Sequence, residues 1–86
     1  MRVEHSIDLG EGHAIELGGA TWNEDETSVR NRYPRNDGGF NINASSEVPI
    51  RDLVPMVGIV ADHDVLSELE CIQIIESLVL SLKRRT

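Results

Sequence analysis

Apolar and polar residues change period along this chain, and the changes divide it into elements. From residue 2 to residue 9 they alternate, with Val3, His5, Ile7 and Leu9 on one side and Arg2, Glu4, Ser6 and Asp8 on the other. That is the period of a half-buried strand. Gly10-Glu11-Gly12 is a flexible turn, and His13, Ile15 and Leu17 resume the alternation against Ala14 and Glu16, so a β-hairpin is expected. Gly18 and Gly19 end the second strand or mark a bulge, with Ala20, Thr21 and Trp22 continuing it and residues 23–26 forming a surface loop. Alternation returns at Thr27, placing Val29, Asn31 and Tyr33 opposite Ser28, Arg30 and Arg32, and Pro34 stops it or makes it an edge. Asn36-Asp37-Gly38-Gly39 is a second turn signal, after which Phe40 and Ile42 alternate with Asn41 and Asn43 as the returning strand of a second hairpin.

Beyond residue 50 the period becomes helical. Asp52 is placed to cap a helix starting at Leu53, with Pro55 in its first turn. Leu53, Val54, Met56, Val57, Ile59 and Val60 make this segment apolar nearly all round, which predicts burial between the sheet and a further helix. Asp62, His63 and Asp64 end it. The further helix is the longest segment of constant period, residues 67–85, with Leu69, Ile72, Ile75, Val79 and Leu82 in one stripe and Cys71, Ile74 and Leu78 widening it. Ser67 and Glu70 form a capping box at its start, with Leu66 and Cys71 at staple positions. Glu68 and Glu70 in the first turn and Lys83, Arg84 and Arg85 in the last oppose the helix dipole. The short connection predicts an antiparallel helix pair. The fold expected is therefore α+β: a small antiparallel sheet of three or four strands from the N-terminal half, packed on two antiparallel C-terminal helices, in a single domain spanning residues 1–86.

Composition narrows the functional classes. Hydrophobic residues are 40% and charged residues 27% of the chain, a globular balance, but Trp22, Tyr33 and Phe40 are its only aromatics. No apolar run approaches the roughly 18 residues of a membrane span, and the N-terminal stretch lacks the apolar region of a signal peptide. Cys71 is the only cysteine, so no internal disulfide can form, and a cytoplasmic location is expected. The net charge of −7 sits in residues 1–28 and 52–82, while residues 29–51 are net positive. Direct nucleic-acid binding is disfavoured by that balance.

Candidate chemistry is sparse. His5 and His13 fall on the same side of their strands and could hold a divalent ion with a carboxylate such as Glu11, but no ligand spacing typical of a metal site is present. No cofactor, metal site or catalytic residue is expected. His63, between two aspartates, reads as a helix terminus, and Cys71 as a packing residue. The two Gly-rich turns lack the context of a phosphate loop. The segment from Arg30 to Phe40 concentrates Arg30, Arg32, Tyr33, Arg35 and Phe40 in an acidic chain, and together with Trp22 these are the candidate partner-binding residues. The alternative is that the arginines match acids on the neighbouring strand. On the C-terminal helix, Ile72, Ile75, Val79, Leu80 and Leu82 are the candidate oligomer interface.

These features favour a non-catalytic protein-interaction module: a small acidic accessory or inhibitory subunit with a protein partner, forming a homodimer or larger homo-oligomer. An acidic mimic of nucleic acid that blocks a nucleic-acid-binding protein is a second reading. A metal-dependent enzyme using His5 and His13 is a third.

Overall fold

The computed structural model describes residues 1–86 and contains four strands followed by two helices, an α+β fold. β1 (Arg2–Gly10), β2 (His13–Gly19), β3 (Thr27–Arg32) and β4 (Ser46–Pro49) form one antiparallel sheet in sequence order. α1 (Ile50–Asp62) and α2 (Glu68–Arg84) follow. The chain divides into two compact units, Met1–Leu53 and Val54–Thr86.

Within the sheet unit, register sorts the side chains. His5 opposes Leu17, Leu17 opposes Val29 and Val29 opposes Val48, one transverse row of the apolar face. Ser6, Glu16, Arg30 and Glu47 form the equivalent row of the polar face. The first hairpin turns through Gly10, Glu11 and Gly12, all at positive φ. Gly18 is required for a different reason: a Cβ there would lie 1.8 Å from the Arg2 carbonyl oxygen, where β1 slips register between Val3 and His5. Of the two readings of Gly18-Gly19, a strand end or a bulge with the strand continuing through Trp22, the structure has the strand end. β2 stops at Gly19, Ala20 N–H turns back to donate to Glu26 O at 2.9 Å, and Thr21 and Trp22 lie in a bend.

The partner of β3 is also not the segment expected. After Pro34, which has no N–H to continue a ladder, the chain reverses through Arg35–Gly39. Only a single bridge, Pro34 to Phe40, represents the anticipated hairpin. Asn41 then draws the chain into a local turn, its Oδ1 accepting Ala44 N–H at 3.1 Å and its carbonyl accepting Ser45 Oγ–H at 2.7 Å. Short-range bonding by Asn and Ser competes with the ladder here. Pairing passes instead to Ser46–Pro49, with Arg30 opposite Glu47.

α1 begins at Ile50, directly after Pro49, so Asp52 lies in its first turn rather than at the cap and Pro55 falls inside the helix. Its C-terminus closes with Asp64 at φ 53°, Val65 N–H on Val60 O at 3.3 Å and Asp64 N–H on Ala61 O at 3.2 Å. This paired closure satisfies the last carbonyls of the helix. α2 has the capping box read from its sequence: Glu70 N–H donates to Ser67 Oγ at 3.0 Å and Ser67 N–H to Glu70 Oε1 at 2.9 Å. The reciprocal bond, chiefly the backbone one, holds the Glu70 carboxyl below its ordinary range. The expected burial of α1 is not found, because neither helix contains a fully buried residue. Within the helical unit Val57 and Ala61 of α1 share an apolar groove with Leu66, Cys71, Ile74, Ile75 and Leu78, and a groove along one flank leaves the rest of an all-round apolar helix uncovered within that unit.

Candidate interaction site

The buried part of the sheet unit is its polar side. Alternation predicts charged residues outward and aliphatic ones inward, yet Glu16 is 6% exposed and Ser28 is fully buried, while Ile7 on the other face is 62% exposed. Ala20 is the only fully buried hydrophobic residue of the chain. The cause is local. The two long connections, residues 20–26 and 33–45, bond to groups of the polar face and so wall it in.

At the Ala14–Arg32 end, Arg30 donates from Nε to Glu16 Oε1 at 2.8 Å, with a second guanidinium nitrogen 2.7 Å from the same oxygen. Arg32 approaches the other oxygen of Glu16 at 4.0 Å. The returning loop lays the Phe40 ring against both cations, with Arg30 Cζ 4.4 Å and Arg32 Cζ 5.0 Å from its centroid. One buried carboxylate therefore meets two guanidinium groups, and an aromatic face closes them off. Arg30 is nearly enclosed, whereas the Arg32 side chain remains 37% exposed.

On the opposite face of the same end, the Tyr33 ring stacks on His13, centroids 4.3 Å apart and planes 8° from parallel. His13 Nε2 lies 2.5 Å from Asn31 Oδ1, and Asn31 Nδ2 donates to Tyr33 Oη at 3.4 Å. His5 is not part of this group: it opposes Leu17, while His13 opposes Gly10. No three His, Cys, Asp or Glu side chains gather closely enough to hold a metal ion. His63 caps its own helix, with Nδ1 3.1 Å from Ile59 O.

The six candidate binding residues are thus only partly brought together. Arg30, Arg32 and Phe40 form one cluster, and Tyr33, 39% exposed, sits at the same end of the sheet. Arg35 is exposed at the loop tip and paired with Asp37 at 3.1 Å. Trp22 lies at the far end, beyond the Gly19–Thr27 pair, where its indole N–H donates to Glu26 Oε2 at 2.6 Å and Arg51 reaches the same oxygen at 3.4 Å. The indole bond, more than Arg51, holds the Glu26 carboxyl below its ordinary range despite some loss of solvent. The chain matches no family model, no curated protein and no solved structure.

Sequence reading did not single out Glu16 or Glu47, the two carboxylates on which this face is assembled. Their signal was present only as acids alternating with apolar residues, which normally marks an outward face. Glu47 accepts Thr21 N–H at 2.8 Å, Thr21 Oγ–H at 2.7 Å and Ser28 Oγ–H at 2.7 Å, while the N-terminal ammonium donates to Thr21 Oγ1 at 3.0 Å. Burial raises its carboxyl, but these bonds, with help from the ammonium, outweigh it and leave the pKa lowered. The unfolded chain then takes up the proton first. The stability Glu47 contributes is complete above the ordinary carboxyl value of about 4.3 and is lost as pH falls through the lower folded value. Glu47→Gln should accordingly lower the thermal midpoint at pH 7 and lower it less near pH 3. Equal losses at both pH values, measured by circular dichroism melts, would refute this linkage.

Proposed function

We propose that the protein is a non-catalytic interaction module, a small acidic accessory subunit that acts by contact with other protein molecules and associates with a second copy of itself through α2. The observation that carries this reading is the distribution of apolar surface: Ala20 alone is a fully buried hydrophobic residue, while Leu69, Ile72, Ile75, Val79, Leu80 and Leu82 of α2 are all exposed. Leaving that surface in water forfeits about 25 cal/mol per Å², and a symmetric pair of copies lets one patch serve both chains. The non-catalytic reading is supported by the way the polar groups are used. Glu16, Glu47, His13 and His63 are each engaged in holding the fold. No helix is long and apolar enough to cross a membrane.

Sedimentation equilibrium of the purified chain at micromolar concentration tests the reading. The expected mass is a multiple of the 9.6 kDa chain, falling on dilution. A mass of one chain at every concentration would overturn it.

The protein partner is read to engage the end of the sheet where Arg32, Tyr33 and Arg35 are open. Arg32 and Tyr33 stand on rigid supports, the Phe40 ring and the His13 ring, so little side-chain freedom is lost when they bind. An acidic side chain of the partner is the complementary group for Arg32. With a partner captured from the native host, Arg32→Ala and Tyr33→Ala should each weaken binding by about 1–3 kcal/mol. Unchanged affinity by calorimetry, with the fold intact, removes this surface from the proposal.

A further inference from the structure

We infer that two copies of α2 pair antiparallel, a conclusion that rests on the self-association proposed above and fixes its geometry. The exposed stripe Ile72, Ile75, Val79, Leu82 has spacings of three, four and three, the alternation of a helix–helix seam. All four side chains are open, from 46% for Val79 to 61% for Leu82. The groove shared with α1 is lined by Cys71, Ile74, Ile75 and Leu78, so of the stripe only Ile75, itself 58% exposed, belongs to both surfaces. Ile72, Val79 and Leu82 lie outside that groove, so α2 can keep it and still offer the stripe to a second chain.

The order of the spacings is the same from either end. In an antiparallel pair Ile72 packs against Leu82 of the second copy and Ile75 against Val79 of the second copy, and the twofold axis repeats both layers. A parallel pair satisfies the apolar stripe equally well, so charge decides between them. The first turn of α2 carries Glu68 and Glu70, and the C-terminal end carries Lys83, Arg84 and Arg85. Parallel pairing sets acid beside acid and base beside base at both ends. Antiparallel pairing sets each acidic end against a basic one, and it also opposes the two helix dipoles. Its one like-charge meeting is between the two Glu76 side chains, which flank the seam near the axis.

The experiment uses the full chain in a Cys71→Ser background, with Ile72→Cys and Leu82→Cys introduced separately and oxidised alone or as an equimolar mixture. Antiparallel pairing predicts a disulfide-linked dimer from the mixture and little from either variant alone. Efficient linkage of each variant to itself means the pair is parallel and overturns the inference. Because cysteine in the seam can weaken association, charge variants in the otherwise native chain give a second measurement. Glu68→Lys and Arg85→Glu should each weaken the dimer about tenfold and the two together should restore it to within about threefold. A dimer indifferent to both overturns the antiparallel assignment while leaving self-association standing. A native chain that sediments as a monomer overturns both.

Discussion

Glu16→Ala should destabilise the sheet unit by about 3 kcal/mol, because it removes one member of a buried pair and leaves the other charged. The Arg30 side chain is only 14% exposed, and its guanidinium is held between the Glu16 carboxylate and the Phe40 ring. Without Glu16 it keeps the aromatic contact but loses the only anion that bonds it. Urea unfolding followed by tryptophan fluorescence reports the change, since Trp22 belongs to the same unit. Replacing both members, Glu16→Leu with Arg30→Met, should recover most of the loss, because a buried ion pair exchanged for apolar groups of similar size is close to neutral. A loss below about 0.5 kcal/mol for Glu16→Ala would mean that the ion pair is relaxed and hydrated, as exposed surface pairs are.

Gly18→Ala should be as damaging for a different reason. The added methyl group would meet the Arg2 carbonyl oxygen at 1.8 Å and the Glu4 backbone nitrogen at 3.0 Å. Both are main-chain atoms, so no rotamer change relieves the clash and β1 has to move away from β2. The cost of such overpacking is about 3 kcal/mol, at the upper end of the usual range, and it falls on the edge strand. Hydrogen exchange should show the β1 amides losing protection while the β2–β3 pairs keep theirs. Protection of β1 equal to that of the native chain would show that the strand absorbs the methyl group by a small shift.

Local rules were legible because they act over a few residues. The alternation of residues 2–9 and 13–17 gave both strands of the first hairpin, and Ser67 with Glu70 gave the start of α2. The Arg–acid match across neighbouring strands, held as the alternative to a free arginine cluster, is present in Arg30 and Glu16. β4 was missed because the Gly38-Gly39 turn and the alternating Phe40 and Ile42 form a stronger short-range signal than the four residues Ser46–Pro49. The start of α1 was misplaced because a proline at residue 49 and an aspartate at residue 52 offer two competing openings.

The sequence by itself determined the α+β class, the order of five of the six elements and the polarity of α2 from acidic start to basic end. Only the tertiary structure decided which side of the sheet is enclosed. Alternation identifies two faces but carries no information about which one the connecting loops will cover, and here Phe40 and Thr21 return to the face bearing Glu16, Arg30 and Glu47. Hydrogen bonds and an ion pair can fill a small interior when every group in it is satisfied, and no buried polar side-chain atom of this chain lacks a partner. Aliphatic residues such as Ile7 and Leu9 are then left at the surface, where a second chain can reach them.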